Sequence, residues 1–245
     1  MTIYIYDTIR TMQRIATAVA KGRDKFAVGF IRYDKAEAFV AKLETRYGSN
    51  ASPSAARAQR RAGLAGSTLI LLPRPERMGF AWWLLVGPGT GSVTTQERLQ
   101  DARSRDQRVH LGRFELARLP ARNGERRVQW TWRLPAKAYA ELRIHAVALA
   151  THASVRQAQA LIDRMTAWPG WRGVAEQRRE IWRDMRKARA LAGRDDALSF
   201  PVATPWPTRM SLLGKGTSLA VAVESMRAAA TRPSGGRYMP IRDTG

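Results

Sequence analysis

Between Trp171 and Gly193 the hydrophobic residues return at helical intervals. Val174, Ile181, Met185 and Ala188 line one side of a predicted helix. Arg172, Arg179, Arg183, Arg186 and Lys187 recur on the opposite side, interrupted only by Glu176, and Arg178 joins the cationic set. Gly193 follows as a left-handed stop. Glu180 and Asp184 lie on the flank, spaced to pair with Arg183 and Lys187. One face therefore packs. The other is either an ordinary solvated surface or a column of cations offered to a polyanion.

Elsewhere the pattern shortens to two. Strands are predicted at Thr2–Tyr6, Phe26–Arg32, Thr68–Leu72, Phe80–Val86, Val109–Leu116 and Arg126–Leu134, with Val128, Trp130 and Trp132 alternating in the last. Pro73–Gly79 turns Thr68–Leu72 and Phe80–Val86 into a hairpin. Gly29, inside a strand, marks a bulge or a close approach. Helices are predicted at Ile9–Ala20, ending at Lys21-Gly22-Arg23, and at Lys35–Tyr47, capped by Asp34 and stopped by Gly48. Four more follow: Thr94–Arg105, opened by a Thr94–Glu97 capping box; Pro135 to about His152; Ser154–Ala167; and Ser218–Ala230. Ser49–Gly66 reads as a mobile loop or a short helix that orders on contact, carrying Arg57, Arg60 and Arg61.

Strands interspersed with helices predict an α+β fold with small antiparallel sheets. The expected organisation is an N-terminal α+β domain over 1–134 and a projecting basic α-helical lobe over 135–194. A glycine loop and C-terminal segment, 195–245, would complete the α+β core.

Charge changes the picture. The 245 residues hold 42 Lys+Arg against 20 Asp+Glu, a formal net charge of +22. Such a balance repels itself and calls for a polyanion, nucleic acid first and an anionic membrane surface second. No helix pairs its basic residues with a strongly aromatic, low-polarity face, which disfavours the membrane. Thirty-five of the cations are arginine, whose forked donors match phosphate oxygens and stack on bases, although a GC-rich genome gives the same bias. Cysteine is absent, which removes disulfides, thiolate metal sites and a Cys nucleophile. No early apolar run approaches the ~18 residues of a membrane span, and Asp7, Arg10 and Arg14 break any signal-peptide pattern. The expectation is a soluble cytoplasmic protein.

Candidate chemistry is sparse. His145 and His152 are seven apart, too far for zinc chelation from one helix, and His110 begins a strand. The acids are dispersed, so no metal site and no cofactor are expected. Gly214-Lys215-Gly216, followed by Thr217 and Ser218, lacks the first glycine of a P-loop, because residue 209 is Arg. It is either a phosphate cradle at a helix start or an ordinary loop. The Gly235-Gly236-Arg237-Tyr238-Met239-Pro240-Ile241-Arg242 stretch is more apolar than most tails and so reads as a segment that docks.

The N-terminal β/α pattern, the basic helical segment, the LLGKGTSLAV loop and the GGRYMPIR terminus together resemble the repeat-processing endoribonuclease of type IV CRISPR–Cas systems. The resemblance implies ferredoxin-like (RRM-type) domains and metal-independent cleavage at the base of a CRISPR repeat RNA hairpin. It also implies retention on the 3′ hairpin of the mature guide RNA among other effector-complex subunits, with no membrane and no small-molecule substrate. Cleavage would proceed by attack of a 2′-hydroxyl on the adjacent phosphorus, for which the chain offers no well-placed histidine. Arginines beside glycines or in terminal loops are the catalytic candidates: Arg23, Arg242 and, third, Arg32. RNA contacts are expected from Arg57, Arg60, Arg61, Arg172, Arg178, Arg179, Arg183, Arg186 and Lys187, and from Gly214, Lys215, Gly216 and Arg237. A non-catalytic RNA- or DNA-binding subunit fits the same residues.

Overall fold

The computed structural model describes residues 4–5, 7–120, 128–194, 198–201 and 216–231. In chain order they form β1 (Tyr4–Ile5), α1 (Thr8–Ala20), β2 (Lys25–Arg32), α2 (Ala36–Tyr47), α3 (Pro53–Arg61), β3 (Ser67–Arg74), β4 (Gly79–Val86), α4 (Ser92–Gln96) and β5 (Gln100–Asp101). There follow β6 (His110–Leu111), β7 (Phe114–Leu119), β8 (Gln129–Arg133), α5 (Ala136–His152), α6 (Val155–Thr166), α7 (Arg172–Leu191), β9 (Thr217–Ser218) and α8 (Leu219–Thr231). The fold is mixed α and β with antiparallel sheets. The chain divides into two compact units before β6, and α8 belongs with the first.

In the first unit the strands run in the order β3-β4-β2-β5, all antiparallel. β4 therefore lies between β2 and β3, which α2 and α3 connect, and the short β5 flanks β2 on its other side. Leu69, Leu71, Phe80, Leu84 and Val86 share a face with Val40, Leu43 and Tyr47 of α2 and with Leu219, Val223 and Met226 of α8. The register puts Ile70 and Leu72 on the opposite face with Trp83 and Leu85, and α1 packs there through its buried Met12, Ile15 and Val19. Both faces are covered, which is why Leu69–Leu72 reads as a continuous apolar run and not as an alternation. β1 pairs with β9 as a separate ribbon, and Ser218 accepts the Val221 N–H at 3.4 Å to cap α8.

One local alternative is decided here and two expectations are corrected. Gly29 sits in a regular register opposite Trp82 and makes a close approach, not a bulge: a Cβ there would lie 2.6 Å from the indole. Asp34 does not cap α2; residues Tyr33–Lys35 form a 3₁₀ turn, and Asp34 pairs with Arg32 at 3.2 Å. The helix expected over Thr94–Arg105 stops at Gln96, because Gln100 and Asp101 pair with Phe26 and Lys25 of β2. A strand partner overrides the local capping pattern.

In the second unit β6, β7 and β8 form an antiparallel sheet, and the strand expected over Val109–Leu116 is two strands around a turn at Gly112. The helices expected as a lobe of their own include α7, which packs on β8 as well as on α5. Gly173 makes that approach possible. Its N–H reaches the Thr131 hydroxyl at 3.1 Å, and a Cβ would meet the Trp132 carbonyl at 2.6 Å. Trp132 is fully buried, and Thr131 is buried on the other side of the strand, so β8 is enclosed on both faces.

Candidate nucleic-acid interface

The α1–β2 junction is built by a helix stop. Gly22, at φ +88°, ends α1 in the left-handed conformation that glycine adopts without a steric penalty. Its N–H bonds the Val19 carbonyl at 2.9 Å, and the Arg23 N–H bonds Ala18 at 3.0 Å, the paired bonds of a Schellman turn. The turn fixes Lys21 and Arg23 on either side of Gly22. Across from them stands α3, capped by the Ser52 hydroxyl with Pro53 at its first position. The stretch whose sequence fits either a loop or a helix is thus a helix, and none of its residues is buried.

Between these elements lies a cavity of about 750 Å³. Arg14, Lys21, Arg23, Arg57 and Arg60 supply its charge, while Ala51, Pro53, Ala56 and Pro88 supply apolar wall. No acid lines it. Asp24, next to Arg23 in the chain, is engaged by Arg103 at 2.5 Å, and Asp101 by Lys25 at 2.7 Å. The Lys25 hydrogen bond holds the Asp101 carboxyl below its ordinary range, against an opposing effect of burial. Burial, and then the positive charge of Arg60, hold Arg23 below the usual guanidinium value. Like charges gathered around a cavity that no acid lines are unfavourable by themselves and favour an anion between them.

The expected residues divide clearly. Arg23, Arg57 and Arg60 meet in the cavity; Arg61, on α3, does not line it. Arg32 ends β2, roughly 23 Å along the strand from its start at ~3.3 Å per residue, and pairs with Asp34. It is therefore not part of the Arg23 site. Arg242, Gly214, Lys215 and Arg237 lie outside the described residues, and Gly216 directly precedes β9. Sequence reasoning misses Arg14 and Lys21. Arg14 faces Arg23 only because α1 lies against the sheet, and in the sequence Lys21 reads only as part of a helix stop.

On α7 the column of cations is only partly a surface. Arg179, Arg183, Arg186 and Lys187 are exposed, and the Arg186 guanidinium lies over the Phe200 ring at 4.4 Å. Arg178 is corrected: it is 2% exposed and donates to the Met165 and Thr166 carbonyls at the end of α6. Burial, with Arg179 beside it, holds its pKa down, and the Trp182 ring faces its guanidinium at 5.1 Å. Arg172 has partners within the fold too: it pairs with Glu176 at 2.9 Å and donates to the Pro120 carbonyl at 3.0 Å. Arg189, buried, donates to Ala150 near the end of α5, and Arg194 donates to the carbonyls of its last residue, His152, and of its C-cap, Ala153. Arginines from and just after α7 thus satisfy carbonyls that helix ends leave open. The flanking acids turn mainly to α5. Glu180 accepts from the Tyr139 hydroxyl, and Asp184 takes Arg143 at 2.5 Å with Arg183 at 3.5 Å.

Among the described residues no group of three or more His, Asp or Glu could hold a metal, and no helix is long and apolar enough to cross a membrane. Comparison with protein families, curated proteins and solved structures finds no match to this chain.

Proposed function

We propose that the chain is a metal-independent endoribonuclease that cuts structured CRISPR repeat RNA and stays on the hairpin product as part of a guide ribonucleoprotein, as the resemblance to the type IV processing enzymes implies. One observation carries the reading: among the described residues, five cations and no acid converge on a cavity of about 750 Å³ beside a glycine stop. A scissile phosphate would sit among the guanidinium groups, which stabilise the charge that builds on its oxygens. The strand order β3-β4-β2-β5 supports a ferredoxin-like reading of the first unit. Its RRM-type use, with bases stacked on an open sheet face, is not supported, because α1 covers Ile70, Leu72, Trp83 and Leu85. RNA grip is assigned instead to the cavity and to Arg179, Arg183, Arg186 and Lys187, which would track backbone and not base edges.

The test is to sequence RNA that co-purifies with the protein, synthesise its hairpin, and incubate the two with EDTA. A discrete cut leaving a 2′,3′-cyclic phosphate and a 5′-hydroxyl supports the reading. Bound but intact RNA would sink it in favour of a non-catalytic RNA-binding subunit. That second reading is favoured by one observation, the lack of any histidine or carboxylate lining the cavity among the described residues.

A further inference from the structure

Five side chains bring charge into the Arg23 cavity, and four of them are poor at moving a proton. Arg14, Arg23, Arg57 and Arg60 carry guanidinium groups, delocalised cations that are poor proton donors and acceptors. No histidine, carboxylate, phenol or hydroxyl lines the cavity among the described residues. Lys21 is what remains. It caps α1, its backbone N–H held by the Thr17 and Ala18 carbonyls at 3.1 and 3.2 Å, and only Gly22 separates it from Arg23. Its side chain is a compact ammonium with three donors that can rotate toward a developing charge. The charged groups that line the cavity with it are all guanidinium: Arg14 from its own helix, Arg23 from the turn, Arg57 and Arg60 from α3.

Resting on the cavity as the cleavage site, we infer that Lys21 is the general acid that protonates the departing 5′-oxygen. The 2′-oxygen forms its bond to phosphorus as its own proton passes to solvent water. The bond from phosphorus to the 5′-oxygen breaks, and its electron pair takes a proton from the Lys21 ammonium. The products are a 2′,3′-cyclic phosphate and a 5′-hydroxyl, and solvent returns the proton to the amine. An ammonium offers three donors and no acceptor, which fits giving a proton to the leaving oxygen and not taking one from the 2′-hydroxyl. The arginines hold the phosphate and Lys21 moves the proton, a division that explains how a cavity without histidine could still do acid catalysis.

The experiment compares wild type, Lys21→Arg and Lys21→Ala in single-turnover cleavage of two RNAs. One has the natural linkage at the mapped cut; the other has sulfur in place of the bridging 5′-oxygen, whose thiolate leaves without being protonated. With oxygen, both variants should slow by roughly 10²–10⁴ while Lys21→Arg still binds the hairpin as wild type does. With sulfur, Lys21→Arg, which keeps the charge, should cut at the wild-type rate, and Lys21→Ala should lose far less than it does with oxygen. A wild-type rate for Lys21→Arg on the natural RNA would overturn the assignment. So would a Lys21→Arg deficit that persists undiminished with sulfur, since it would mean binding or positioning. If wild type cuts neither RNA, the cleavage reading itself falls and takes Lys21 with it.

Discussion

The two arginine-rich regions of this chain reverse their appearance in sequence. Helix α7 has a clean periodic column, yet Arg172 and Arg178 of that column are turned to internal work, tying α7 to the Pro120 carbonyl and to the end of α6. The α1–β2 turn and α3 show no such regularity, and there Arg23, Arg57 and Arg60 gather around one cavity. Periodicity reports which side of a helix a residue occupies. It does not report whether a neighbouring helix end lies within reach of a long guanidinium stem, nor which cations a turn brings face to face.

The sharpest way to break the comparison is Arg23→Ala. On the proposed function it should slow cleavage by roughly 10²–10³, the cost of losing one preorganised donor at a developing charge, while hairpin affinity measured by filter binding falls far less. An unchanged rate would remove the cavity from the chemistry. Next in size, Arg178→Ala should lower stability by about 2–3 kcal/mol, since it removes the guanidinium donor from the Thr166 and Met165 carbonyls, of which Met165 keeps the Trp168 N–H, and leaves a void. Urea titration reads this directly, and Arg178→Met, which refills volume, should recover part of it. If Arg178→Ala unfolds at the wild-type midpoint, the side chain is not the cap described.

Smaller effects sharpen the contrast. Gly22→Ala forces a side chain into φ +88° and should cost on the order of 1–2 kcal/mol, again by urea titration. Replacing Arg179, Arg183 and Lys187 together by Ala should leave stability within ~0.5 kcal/mol. It should also flatten the dependence of log affinity on log salt, by about one unit for each phosphate that is no longer neutralised. An unaltered slope would mean that the exposed half of α7 is a solvated face. Arg32→Ala should change cleavage least, because Arg32 sits at the far end of β2 beside Asp34; a large fall in rate would contradict its placement.

Local signals carry much of the fold. Gly48 and Gly193 end their helices at φ +58° and +64°, and Ser154 opens α6 with a full capping box, because these features depend on a few neighbouring residues. The hairpin of β3 and β4 is legible for the same reason. The end of the helix expected over Thr94–Arg105 is not, since its fate depends on β2, some seventy residues earlier in the chain. The site is half legible. Arg23, Arg57 and Arg60 stand out as basic residues beside a glycine or in a polar segment, but nothing local joins them to Arg14 or Lys21.

The amino-acid order alone therefore determined the alternation of elements, most helix ends and the excess of positive charge, all of which follow from short-range sterics, periodicity and composition. Tertiary packing alone decided which arginines became helix caps and which were left to face one another. That choice depends on where helix ends and turns come to rest, and only the assembled sheets and helices set those distances.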